Sequence, residues 1–106
     1  MEKHVASAYF QNYRQWKASS DIFRALAHPL RLRICAIIDD KNPACVQEIY
    51  EALNIEQSVA SQHLRILRQA NLVRTQREGK FVHYLLDYDR MSSAKKVAGH
   101  FAEFAG

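Results

Sequence analysis

Between residues 57 and 68 the chain carries Gln57, Ser58, Ser61, Gln62, Arg65 and Arg68, hydrogen-bonding and cationic side chains with no carboxylate among them. Ser58, Ser61, Gln62 and Arg65 stand at i, i+3, i+4 and i+7, so a helix would bring them onto one face. Ala60, Leu64 and Leu67 recur on the other side and would pin that helix to a core. A glutamine amide can bond adenine through two hydrogen bonds, a serine hydroxyl can donate or accept at several base edges, and Val59 can meet a thymine methyl in a major groove. Gln57 adds another polar reader at the helix start. Arg65 and Arg68 have the charge and reach for phosphates. An ordinary solvated helix surface has the same composition, so this face gains meaning only from what surrounds it.

The surroundings are basic. The 106-residue chain has a formal net charge of +4. Residues 57–86 hold Arg65, Arg68, Arg74, Arg77 and Lys80 against Glu78 alone, whereas the ten cations elsewhere are matched by ten carboxylates. An excess gathered into one stretch is the footprint of a polyanion-facing surface. The length fits one compact domain over residues 1–106, and 48% hydrophobic with 25% charged residues is a globular balance. Apolar runs such as Ile34 to Ile38 fall far short of the roughly 20 residues a membrane helix needs, and no basic-then-apolar leader opens the chain. A cytoplasmic address and no membrane partner are expected. Two cysteines, Cys35 and Cys45, are too few for a disulfide scaffold. No Ser-His-Asp set, glycine-rich phosphate loop or paired-cysteine signature occurs at a recognisable spacing, so no catalytic residues are assigned and the chain is not read as an enzyme.

The elements that must position this face are mostly helical. Val5, Tyr9, Asn12, Tyr13 and Trp16 recur at helical spacing over Glu2 to Lys17. Ser19, Ser20 and Asp21 are cap formers and predict a new helix from Ile22 to about Ala27. His28-Pro29 ends it, and Pro29 suits the first turn of a helix buried through Leu30, Ile34, Ile37 and Ile38. A polar turn at Asp39 to Pro43 leads to a third helix from about Ala44 to Leu53, with Val46, Ile49, Tyr50 and Leu53 inward and Asn54 as a left-handed stop. The polar helix follows from Gln57 to Ala70, stopped by Asn71. Leu72 to Gln76 and Phe81 to Leu86 then read as a hairpin around Arg77-Glu78-Gly79-Lys80. Asp89 to Ala105 is helical, with Met91, Ala94, Val97, Ala98, Phe101 and Phe104 apolar. The fold class is therefore mainly α with a small β-hairpin. Arg77 and Lys80 at the hairpin tip suit phosphates or a narrow minor groove. His63, beside Leu64 on the inner half of its helix, and His28 read as structural histidines.

Three ordered segments carry a family resemblance: Phe23-Arg24-Ala25-Leu26-Ala27-His28-Pro29-Leu30-Arg31-Leu32-Arg33-Ile34, Gln57 through Leu67, and Asn71-Leu72-Val73 with Glu78-Gly79-Lys80-Phe81-Val82-His83-Tyr84. Over residues 20 to 88 the chain resembles the ArsR/SmtB family of bacterial winged helix-turn-helix repressors. The resemblance implies a homodimer on a double-stranded DNA operator, released by a metal, an oxidant or another inducer. It departs from the family at Asn71, where glycine is usual. Stripes on residues 1–19 and 88–106 are expected to form the dimer interface, as N- and C-terminal dimerisation helices. The rival reading is a protein-interaction module that keeps the winged-helix scaffold without specific DNA binding.

The resemblance also frames the inducer. Metalloid sensors of the family carry Cys-x-Cys at the start of the third helix, but here the run is Cys45-Val46-Gln47, with one thiol only. Others hold a divalent metal ion through Asp-x-His and His-x-x-Glu or His-x-x-His near the C-terminus. Asp87-x-Asp89 and His100-x-x-Glu103 repeat the spacing, with Asp in place of His and one residue out of register. Asp87, Asp89, His100 and Glu103 are thus the metal candidates, and Cys35 with Cys45 the thiol-switch candidates. A regulator without a ligand is the remaining option, and no cofactor is assigned with certainty.

Overall fold

The computed structural model describes the backbone of residues 2–95, with side chains from residue 12 onward. Helix α1 spans Glu2–Leu26, α2 Pro29–Lys41, α3 Val46–Leu53 and α4 Gln57–Gln69; strands β1, β2 and β3 span Ala44–Cys45, Val73–Glu78 and Phe81–Leu86. Residues 88–95 are helical and are labelled α5. Among the described residues, no helix is long and apolar enough to cross a membrane.

The break expected at Ser19 to Asp21 is absent, and α1 is one helix of 25 residues. The Ser19 hydroxyl donates to the Gln15 carbonyl one turn back, at 3.0 Å, which satisfies it inside a helix instead of at a cap. Asp21 faces Arg24 at 3.9 Å. No structural boundary therefore falls at residue 19. The corner at His28-Pro29 does form. His28 Nδ1 accepts from the Leu30 N–H at 3.2 Å, the part a serine or aspartate usually plays, and Pro29 opens α2. Arg31 reaches back from α2, its Nε donating to the Ala25 carbonyl and its Nη2 to the Arg24 carbonyl at 3.1 Å. These are carbonyls that the end of α1 would otherwise leave open.

Helix α2 persists to Lys41, and the turn expected from Asp39 is confined to the residues after it, beginning with left-handed Asn42. Ala44 and Cys45, expected as a helix start, are instead a short strand antiparallel to Tyr84 and His83. The pairing covers an edge of β3 that would otherwise present bare backbone groups. The hairpin becomes a three-stranded sheet in the order β1-β3-β2. Glu48 accepts from the Cys45 N–H at 3.1 Å and so caps the start of α3. That contact holds the Glu48 carboxyl below the usual carboxylate range.

Helices α3 and α4 enclose the tight turn of residues 54–56. Each is closed by an asparagine with positive φ, Asn54 at 53° directly after α3 and Asn71 at 60° after the Ala70 cap of α4. The next amide returns to a carbonyl five residues back in both cases, Ile55 to Tyr50 and Leu72 to Leu67. This is the Schellman closure that short helices need to stop cleanly. Val73 to Glu78 pair with Leu86 to Phe81 in register, leaving Gly79-Lys80 as a two-residue loop, shorter than the four-residue turn expected from sequence. Of that loop only Gly79 has positive φ, at 62°, the type II′ pattern whose twist matches a hairpin.

One core joins these elements. Ile22 and Ala25 of α1, Ile34 and Ile38 of α2, Ile49 of α3, Leu64 and Leu67 of α4, Leu72 just before the sheet, and Val73 and Leu86 within it are buried together. Leu67 is wholly inaccessible, so Leu67→Ala removes about 2–5 kcal/mol of stability.

Candidate nucleic-acid interface

Helix α4 is pinned along the line expected from its sequence. Ala60, Leu64 and Leu67 are buried, and Gln57, Ser58, Ser61, Gln62, Arg65 and Arg68 are exposed, with Val59 half-buried. With about 100° per residue, Ser58, Gln62, Arg65 and Gln69 project directly away from the core. Ser61, Arg68 and Gln57 lean to one side, and Val59 and Ile66 to the other. Ile66 is itself exposed and lines a shallow cavity with Asp21, Arg24, Ala25, Gln69 and Ala70 against α1. The opposite flank faces the hairpin, where Ser61, Arg65 and Arg68 share a second cavity with Tyr84 of β3.

The hairpin presents its own cations. Arg77 and Lys80 are exposed at its end. Among the described residues, Asp21 pairs with Arg24, and Glu78 lies 3.6 Å from the His83 ring. Arg65, Arg68, Arg74, Arg77 and Lys80 are in neither, so their charge is available to an external anion. Arg77 lies opposite Val82 and Thr75 opposite Tyr84. Cross-strand partners share a face and residues two apart along a strand share it too. Arg77, Thr75 and Val73 thus lie on one face with Val82, Tyr84 and Leu86. Val73 and Leu86 are buried on that face.

The two histidines lie behind the exposed face. His63 is half-buried on α4, its ring 4.8 Å from that of His28, and its Nδ1 is 3.4 Å from Arg31 Nη1. Desolvation, then the His28 and Arg31 charges, hold the His63 imidazole below its ordinary pKa. The cluster joins the α1–α2 corner to α4, in keeping with the structural part expected of both rings. Arg90 of α5 similarly donates from Nη2 to the Ala70 carbonyl at the end of α4, at 3.1 Å.

The inducer candidates are less gathered. Cys35 is buried in α2, and burial pushes its thiol up to about 11. Cys45 is half-buried. Gln47, where the second thiol of a metalloid pair would stand, donates to Glu51 at 2.9 Å. A soft-metal site on two thiolates therefore does not fit the start of α3. Asp87 accepts from the Arg90 N–H at 3.1 Å and caps α5, and Asp89, two residues on, is exposed. His100 and Glu103 lie outside the described residues. Among the described residues, no group of three or more histidine, cysteine, aspartate or glutamate side chains is arranged to hold a metal ion.

Two residues of this surface escaped sequence reasoning. Gln69 extends the outward face of α4 two turns beyond Gln62, and its i+7 spacing is the signal. Tyr84 carries no signal of its own beyond its place in the Glu78-to-Tyr84 motif. Its side of the sheet follows from strand alternation with buried Leu86.

Residues 26–76 match a family described as a helix-turn-helix domain. The chain is 36% identical over 90 residues to a transcriptional repressor SmtB homolog of Synechocystis sp., covering 84% of this chain and 67% of that protein. It is 30% identical over 83 residues to the HTH-type transcriptional regulator MJ1325 of Methanocaldococcus jannaschii, covering 78% and 93% respectively. Its fold is similar to a solution structure from Mycobacterium bovis, the homodimeric winged helix-turn-helix DNA-binding domain of Mb0332, described as a possible ArsR-family regulator. The TM-score is 0.71 at 24% identity, over 86% of this chain and 84% of that one.

Proposed function

The chain belongs to the ArsR/SmtB family of helix-turn-helix transcriptional regulators, and we propose that it works as a homodimeric repressor that reads its operator with the outward face of α4. The observation that carries this reading is the exposure of Gln57, Ser58, Ser61, Gln62 and Arg65 over a helix whose opposite side is wholly buried. An α-helix so mounted fits a major groove, and its amide and hydroxyl groups match base edges there. Val59 supplies an apolar contact for a thymine methyl. Arg65, Arg68, Arg77 and Lys80 act on phosphates, with the hairpin tip entering the neighbouring minor groove. The bare cations of this surface favour DNA binding over the rival of a scaffold used only for protein contacts.

Dimerisation rests on α1 and α5. Tyr13 is 54% and Trp16 75% exposed on α1, aromatic area that a second subunit would cover. A dimer also sets two α4 helices against half-sites one helical turn apart, about 34–36 Å. The homodimeric Mycobacterium bovis domain, similar in fold, supports this arrangement. The regulator has no catalytic role and works in the cytoplasm. A divalent-ion inducer would have to use Asp87, Asp89, His100 and Glu103, and Asp87 would first have to give up its cap on α5. Selection of bound fragments from the source genome, followed by binding to the recovered duplex and a scrambled one, tests the proposal. Tight, sequence-selective binding is expected. Failure to bind any duplex in dilute buffer overturns it.

A further inference from the structure

A crevice between α4 and β3 is lined by two arginines and two hydroxyl-bearing residues. Ser61, Arg65 and Arg68 on α4 and Tyr84 on β3 surround about 180 Å³, with Leu64 as its apolar floor. Leu64 is 1% exposed, so the floor is fixed by the core. Among the described residues, no hydrogen bond or ion pair within the chain engages the Ser61 or Tyr84 hydroxyl or either guanidinium. Two guanidinium groups and two hydroxyl-bearing side chains that line one space and are unused within the protein suit a tetrahedral oxyanion.

The position of the crevice identifies which oxyanion. With α4 in a major groove and the hairpin tip in the adjacent minor groove, the ridge between the two grooves is one sugar-phosphate strand. That ridge must pass over the gap between α4 and β3. We propose that this crevice seats a single DNA backbone phosphate in each half-site, with Tyr84 and Ser61 as positioning donors beside Arg65 and Arg68. This inference rests on the DNA-binding reading above. It moves Ser61 from base edge to phosphate, in line with its lean toward the hairpin, and leaves Ser58, Gln62 and Gln57 to read sequence. It also adds Tyr84, whose hydroxyl fixes the register of helix and hairpin on the duplex.

The test uses the full chain and the duplex recovered by genomic selection, with uncharged methylphosphonates placed one at a time along each strand. For the unaltered protein, one position per half-site is expected to weaken binding about tenfold, as for loss of a charge-assisted bond set. Tyr84→Phe keeps the packed ring and Ser61→Ala favours the helix, so both are expected to melt as the parent does. In each, the penalty at that one position shrinks severalfold while penalties elsewhere persist. Tight duplex binding with the same penalty in all three proteins overturns the phosphate seat and spares the wider DNA reading. Absence of any duplex binding overturns both. Inorganic phosphate is titrated separately: saturation of the crevice at low millimolar concentration, abolished in Tyr84→Phe, would make it a free-anion site and refute the backbone assignment.

Discussion

Replacing Gln62 and Lys80 by alanine separates sequence reading from charge. Gln62 projects from the exposed face of α4 and makes no side-chain hydrogen bond among the described residues. Alanine is also the stronger helix former, so Gln62→Ala should change stability by no more than about 0.5 kcal/mol. Any loss of binding is then a loss of contact. A two-bond glutamine–adenine contact contributes about 1–3 kcal/mol of discrimination, or roughly 5- to 150-fold in Kd for each half-site. Lys80 is exposed at the Gly79-Lys80 loop, outside the ion pairs of the described residues. Its removal should lower the slope of log K against log salt by about 0.9 per protomer and therefore about 1.8 per dimer. Fluorescence anisotropy of labelled operator and scrambled duplex, measured across a series of KCl concentrations, reads both quantities. Gln62→Ala should weaken the operator selectively at an unchanged slope, and Lys80→Ala should weaken both duplexes equally at a reduced slope. Equal weakening of both duplexes by Gln62→Ala, with discrimination intact, would refute the assignment of α4 as the reading element.

Trp16→Arg should shift the protein to monomer in sedimentation experiments and abolish tight operator binding; a persistent dimer would remove α1 from the interface. The depressed His63 pKa means that the folded state binds protons less readily there than the unfolded chain, whose imidazole titrates near 6.5. That stability is present above 6.5 and declines as pH falls through the folded pKa, so urea midpoints should drop in mildly acidic buffer, and His63→Gln should flatten the decline. Iodoacetamide at neutral pH should label Cys45 in the folded protein and reach Cys35 only after denaturation, read by mass spectrometry; rapid labelling of native Cys35 would contradict its burial and its pKa of about 11.

Much of the fold could be read from periodicity because each helix buries one stripe. Ile34 and Ile38 of α2, Ile49 of α3, and Ala60, Leu64 and Leu67 of α4 are buried where spacing put them. Asn54 and Asn71 stop their helices because a left-handed residue is a local property that survives any tertiary setting. The departures have two causes. Ser19 to Asp21 could cap a helix or bond within one, and the hydroxyl bond of Ser19 to Gln15 takes the second course. Ala44 and Cys45 became a strand because an edge of β3 needed covering, a demand arising some 40 residues away. The strand, unlike the Ser19 bond, is not encoded in the nearby residues.

The site divides along the same line. Which α4 side chains face outward follows from 3.6-residue geometry and the position of three apolar residues, and so Gln57, Ser58, Ser61, Gln62, Arg65 and Arg68 were all found exposed. Which of them meets the hairpin does not follow from α4 alone. Ser61 and Arg68 lean toward Tyr84 only because β3 packs on that flank. Tyr84 looks that way only because it pairs with Thr75 on one side and Ala44 on the other. A hydroxyl on a strand carries no signal for phosphate until the register of three strands and the roll of one helix are both fixed. The outward face is thus a property of sequence, and the anion-sized space beside it is a property of packing, which is why substitutions at Gln62 and at Tyr84 should fail in different ways: one by losing discrimination between duplexes, the other by losing sensitivity to a single phosphate.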